Sequence, residues 1–91
     1  MATIAVERPH KLGQEEALKR AQELLQSFGA RLGADVEWNG PHATFKGSGF
    51  FGSALVAADK VQVSIDLSLL LRAMKGKIES RLTRAMEERF S

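Results

Sequence analysis

Alternation of apolar and polar positions is clearest in "KVQVSIDL", residues 60–67, where Val61, Val63, Ile65 and Leu67 share one side and polar residues the other. That is the period of a half-buried strand. Shorter runs of the same kind precede it: "DVEWN" with Val36 and Trp38 inward, "ATFKG" with Ala43 and Phe45 inward, and "FFGSALVAA". "NGPH" at 39–42 and "ADK" at 58–60 have the spacing and composition of hairpin turns, which predicts consecutive antiparallel strands in a meander. Residues 3–7 alternate as well, Ile4 and Val6 opposite Thr3 and Glu7, until Pro9 closes the strand and holds Arg8 extended.

Two segments follow the helical period instead. Ala17, Leu18, Ala21, Leu24, Leu25, Phe28 and Leu32 fall on one stripe from Gln14 onward. Gly13 serves as N-cap, Glu15 and Glu16 place negative charge in the first turn where the dipole favours it, and Gly29 or Gly33 supplies the left-handed stop. The second helix is predicted to start at Ser68 as N-cap and to run to the end of the chain, with Leu71, Met74, Ile78, Leu82 and Ala85 as its stripe. Gly76 then stands in a helix interior, where it costs about 1 kcal/mol relative to Ala.

The resulting order, β-α-β-β-β-β-α, predicts an α+β fold in one domain spanning residues 1–91: an antiparallel meander sheet with both helices on one face. A solvated second face should be polar throughout, yet Phe50, Ala54 and Val56 alternate with Phe51 and Leu55, so one strand carries apolar residues on both sides. A partner covering that face is expected.

"GSGFFG", residues 47–52, spells G-x-G-x-x-G, the glycine pattern of dinucleotide-binding turns. Such a turn works because a helix begins at once and lends its amides and dipole to the phosphates. After Gly52 the residues keep a period near two, and no acidic residue stands in a βαβ context to hold a ribose. These glycines therefore read as parts of a sheet: Gly47 and Gly49 in a turn or bulge, Gly52 where a strand bends or a neighbouring side chain lies flat on it.

Composition narrows the function classes. A chain of 91 residues with 44% apolar and 26% charged content is ordinary for a globular protein, and no cysteine is present, which excludes disulfides, thiolate metal sites and a cysteine nucleophile. "MATIAVERPH" reaches charge at Glu7 and Arg8 before a signal-peptide core develops, and "FFGSALVAA" is far shorter than the roughly 20 residues of a membrane span. A cytoplasmic location is expected. Net charge is only +2, but from Arg72 to Ser91 six basic residues stand against three acidic ones, so the positive charge sits on the last segment.

Candidate chemistry is sparse. His10 and His42 fall in predicted connections with no cluster of ligating residues beside them, which predicts solvated loop histidines, no metal site and no cofactor. Glu15, Glu16, Glu87 and Glu88 read as helix-end and surface charges. Lys77, Arg81 and Arg84 line up beside the apolar stripe of the second helix, as in helices lying against an anionic surface, although long side chains covering the core edge would look the same. A helix of that predicted length, about 33 Å, would overhang strands of about 20 Å and leave Met86 and Phe90 free for self-association or an apolar partner. The expected contact surface thus comprises Phe50, Phe51 and Val56 on the sheet and Lys77, Arg81, Arg84, Met86 and Phe90 on the helix. No catalytic residue is assigned.

Two resemblances bear on function. "NGPHATF" followed by a meander and a helix is similar to the centre of a double-stranded-RNA-binding domain, which places a lysine cluster at the start of its last helix to grip phosphates. Here the predicted helix begins "SLLLRAMKGK", apolar for its first turn, and the first strand and the fourth meander strand are additional. End to end, the sequence resembles the polyhydroxyalkanoic acid system family through "ERPHKLGQEEA" (7–17), Trp38, Phe45, Gly49, Gly52 and "LLLRAMKGKIE" (69–79). These are small bacterial proteins encoded with polyester-storage genes, some of them on the storage-granule surface. The resemblance implies a non-enzymatic accessory protein that associates with the polyhydroxyalkanoate granule surface or with granule proteins, and it carries no catalytic residue over.

Overall fold

Val61, Val63, Ile65 and Leu67 all face the core, as their alternation predicts, and the strand they define pairs on both sides. The computed structural model describes residues 2–69 and 71–90. Its elements in chain order are β1 (Ala2–Pro9), α1 (Gln14–Leu32), β2 (Asp35–Asn39), β3 (His42–Gly47), β4 (Phe50–Val56), β5 (Lys60–Leu67), a 3-10 turn (Arg72–Met74) and α2 (Lys75–Phe90). The sheet order is β1-β5-β4-β3-β2, every neighbour antiparallel, so the expected α+β architecture is the one observed.

β1 lies beside β5 in a register that sets Ile4 opposite Ile65 and Val6 opposite Val63. It extends past residue 7 to Pro9, which lacks a donor but sits on a sheet edge where none is needed. The core face is completed by Ala43, Phe45, Phe50, Ala54 and Val56. Helix α1 covers β2 and β4 with Ala17, Ala21, Leu24 and Leu25, and α2 covers β1 with Ile78, Leu82, Met86 and Phe90. Helix α1 stops at Gly33, which takes the left-handed conformation at φ 70° and donates its N–H to the Gly29 carbonyl.

The second helix departs from expectation at its start. Ser68 does not cap it: the Ser68 N–H is held by the Gly49 carbonyl at 2.8 Å, and its hydroxyl is buried with no hydrogen-bond partner among the described residues. The chain has to climb from the sheet to the helix layer before a helix can lie on β1. Ser68, Leu69 and Leu71–Met74 make that climb, with Leu71 N–H to Ser68 O at 3.1 Å and Met74 N–H to Leu71 O at 2.9 Å. At 16 residues α2 is about 24 Å long, not 33 Å, and Gly76 falls in its first turn rather than its interior. No overhang remains. Met86 is fully buried and Phe90 is 2% exposed, which removes the basis on which self-association through them was expected.

The glycines of residues 47–52 belong to the β3–β4 hairpin. Gly47 pairs with Phe50 across a two-residue loop, and Gly49, at φ 86°, occupies a backbone region that side chains rarely tolerate. Gly52 is required by proximity: a Cβ there would run into the Ser64 carbonyl oxygen of β5 and stand 2.6 Å from the Phe45 ring. A side chain does lie flat on it, and the strand continues to Val56 with no helix in sight.

Gly52→Ala is expected to destabilise the fold by about 2 kcal/mol or more, because neither the β5 backbone nor the packed Phe45 ring can retreat. Gly76→Ala, with open space around the site, should instead stabilise by up to about 1 kcal/mol. Urea unfolding of both variants checks the pair; a Gly52→Ala midpoint equal to that of the parent would refute the close approach.

Candidate interaction surface

The eight residues expected to make contacts separate into two groups. Phe50, Val56, Met86 and Phe90 are buried in the core, and of the four only Phe50 reaches the edge of a surface hollow. The β4 pleat decides this for two of them: Phe50, Ala54 and Val56 point to the helices, so Phe51 and Leu55 point the other way. Phe51 is 52% exposed, and Lys77, Arg81 and Arg84 are exposed on α2. The expectation of an apolar second sheet face thus holds only at Phe51 and Leu55; around them stand Thr3, Glu7, Thr44, Lys46, Ser64 and other polar residues.

The register places Asp35, Lys46, Phe51 and Asp66 in one row across the sheet, at the end where the β3–β4 hairpin turns. Leu69 stands at that same end, lining a shallow hollow with Phe51, Lys46 and Gly47, and is 71% exposed. Five residues on, Met74 is 45% exposed. Met74 escaped the sequence reading because it falls on the apolar stripe of a helix starting at Ser68, and Leu69 because the first turn of that helix was read without asking which of its apolar residues face out. The available signal was that "LLLRAM" holds more apolar residues than one helical stripe can bury.

On the helical side, Leu24, Phe28 and Leu32 of α1 and Ile78 and Ala85 of α2 floor a groove of about 250 Å³, with Met74 at one end. Arg31, Lys77 and Arg81 stand on its rim. None of these three cations makes an ion pair or a side-chain hydrogen bond among the described residues, and the same is true of Lys46, Arg72, Lys75 and Arg84. The far end of the helix pair differs: Arg89 meets Glu23 at 3.3 Å, Arg20 meets Glu16 at 3.1 Å, and Arg20 Nη1 donates to the Arg89 carbonyl at 2.8 Å. Partnered charge joins the helices at the clamped end, although Lys19 there has no partner among the described residues; at the other end Arg31, Lys77 and Arg81 have none.

The histidines part company. His42 is exposed as the first residue of β3 rather than in a loop. His10 is buried, contrary to expectation. Its Nε2 donates to the Ala57 carbonyl at 3.1 Å, its Nδ1 accepts the Leu12 N–H at 3.2 Å, and its ring lies 6.1 Å from that of Phe90. Both neighbours have fixed polarity, so the tautomer is set, with the proton on Nε2. His10 is a strut that ties the β1–α1 connection to the β4–β5 turn. On the open face, the Gln62 amide and then the Lys60 charge lower the Glu7 carboxyl below its ordinary value. That interaction favours the folded state above the ordinary carboxylate range and is lost as the pH falls through the folded value. Among the described residues no group of three His, Asp or Glu is placed to hold a metal ion, and no helix is long and apolar enough to cross a membrane.

One protein family, described as "Putative polyhydroxyalkanoic acid system protein", matches residues 4–90 of the chain. No match was found among curated proteins. Two solved structures share the fold: the NMR structure of PA4090 from Pseudomonas aeruginosa, with a TM-score of 0.62, 10% identity, and coverage of 97% of this chain and 83% of the other; and the crystal structure of TTHA0849 from Thermus thermophilus, with a TM-score of 0.60, 15% identity, and coverage of 97% and 96%. At those identities they speak to the fold alone.

His10→Ala is expected to cost about 2–3 kcal/mol, the sum of two hydrogen bonds and the packing on Phe90, whereas His42→Ala should stay within about 0.5 kcal/mol. Thermal and urea unfolding of the two variants tests this; equal effects would show that the His10 contacts contribute nothing.

Proposed function

Because the chain belongs to the polyhydroxyalkanoic acid system family, we propose that it is a non-enzymatic accessory protein of that storage system, docking reversibly on the granule surface. One observation carries this reading: Leu69 and Met74 are solvent-exposed in a segment that also carries Arg72, Lys75 and Lys77, none of them partnered among the described residues. A polyester inclusion presents apolar polymer under a coat of phospholipid or protein. Apolar side chains flanked by long cationic ones suit such a boundary, with the aliphatic stems lying on the apolar layer and the charges at the anionic one.

The contact surface is therefore the hairpin end of the molecule: Phe51, Leu69 and Met74, with Lys46, Arg72, Lys75 and Lys77 around them. Burying a Leu or Met side chain yields about 1.5–3 kcal/mol and each cation near an anionic surface about 1 kcal/mol. Those magnitudes suit reversible association, not permanent anchoring. Of the helix cations named from sequence, Lys77 lies closest to this end, while Arg81 and Arg84 follow one and two turns further along α2.

An RNA-binding reading keeps one observation in its favour. Since α2 begins at Lys75, Lys75 and Lys77 occupy its first turn, the place where a double-stranded-RNA-binding domain carries its lysine cluster. The sheet, with five strands rather than three, and the family match weigh against it.

In sedimentation with polyester particles coated with anionic phospholipid, the protein is expected to bind, and a Phe51→Ser, Leu69→Ser double variant to bind at least tenfold more weakly while remaining folded. Raising salt should weaken binding further. A protein that stays wholly soluble with particles and in fractionated polyester-making cells, or a double variant that binds like the parent, would overturn the proposal. Duplex RNA binding with steep salt dependence would replace it by the second reading.

A further inference from the structure

The groove between α1 and α2 shares Met74 and Lys77 with the hairpin-end surface, but its floor of Leu24, Phe28, Leu32, Ile78 and Ala85 plays no part there. Its floor is apolar and its rim holds three cations at one end without a counter-charge among the described residues. The acids near it lie at the opposite end, where Glu88 lines the groove and Glu23 is already paired with Arg89. We propose that this groove binds a small aliphatic monocarboxylate, its carboxylate among Arg31, Lys77 and Arg81 and its chain along Phe28, Leu32 and Ile78.

Charge and shape select this occupant. The cations demand an anion, and the apolar floor demands that the anion carry a tail, since a small hydrophilic ion would leave the floor wet. At about 250 Å³ the groove falls below the roughly 300–1,000 Å³ of sites that take drug-sized ligands, which excludes a nucleotide or an acyl carrier's full prosthetic arm. An extended alkyl chain with one charged end fits, lying parallel to the two helices, with its head at the unpartnered cations and its tail toward Leu24 and Ala85.

The inference does not depend on granule docking, and the experiment keeps the two apart. NMR titration of the full chain with hexanoate, octanoate and decanoate, each below its aggregation concentration, should give saturable shifts at Phe28, Leu32 and Ile78. Affinity should rise about fourfold per added methylene until the groove is filled. Octan-1-ol should bind at least tenfold more weakly than octanoate, and octylamine not at all. The Arg31→Gln, Arg81→Gln double variant should lose octanoate affinity at least tenfold with its remaining spectrum unchanged, whereas Leu69→Ser should retain it even if particle binding is lost. Octan-1-ol binding as tightly as octanoate, or shifts that fail to saturate and spread to Phe51 and Leu55, would overturn the site.

Discussion

The pairing of β1 with β5 is the contact on which the architecture depends. It joins the first strand to the last over eight residue pairs and makes β5 an interior strand. Side-chain bonds reinforce the join on the open face, Thr3 Oγ1 to Asp66 at 2.8 Å and Gln62 Nε2 to Glu7 at 2.9 Å, and at the chain's exit the His10 N–H meets the Asp59 carbonyl at 2.9 Å. Without β1, Ile65 and Val63 would lose their neighbours Ile4 and Val6, and α2 would lose the strand it packs on most.

That closure also explains why a groove exists. With β1 at one edge and β2 at the other, α2 settles over β1 while α1 reaches β2 and β4, so two helices share one face of a five-stranded sheet. They are clamped at one end by Arg20, Arg89 and Glu23 and carry no such clamp among the described residues at the other. Beneath them the sheet is drawn tight by Gly52, where the Phe45 ring occupies the space a side chain would need. A close-packed floor and helices tied at one end leave free volume at the surface between the helices, and a second, more open hollow lies between α1 and β2.

Much of this was legible in the chain because it follows from periodicity. Val61 to Leu67, Ala43 with Phe45, and the stripe of α1 from Ala17 to Leu25 declare their faces by spacing alone, and the hairpin turns declare themselves by glycine and proline or, at 58–60, by Asp59. What failed to show did so for identifiable reasons. The start of α2 was hidden because Leu71 and Met74 continue the helical period of Ile78 and Leu82; the need to climb out of the sheet is a tertiary constraint with no local signature. Phe50 and Phe51 are adjacent and alike, so only the pairing register tells which is core. The burial of His10 depends on the β4–β5 turn, 47 residues away in sequence. The interhelical groove needs both helices in place before it can be seen.

The charge at the start of α2 breaks a local rule that the rest of the chain keeps. Helix α1 opens with Glu15 and Glu16, which complement its dipole; α2 has no acid in its first turn and instead carries Lys75 and Lys77, with Arg72 immediately before them. Favourable charges at helix ends contribute about 0.3–1 kcal/mol each, and cations at the amino-terminal end carry the opposite sign. The two within the first turn, Lys75 and Lys77, oppose folding by roughly 0.6–2 kcal/mol at low ionic strength and by less once salt screens them. Nothing in the fold recovers that cost, since neither has a partner among the described residues. Local rules are broken without internal compensation mainly where a site is being kept for something external. The same end exposes Leu69, Met74 and Phe51. Uncompensated cations beside uncovered apolar side chains are what the anionic, apolar boundary of the proposed function would compensate.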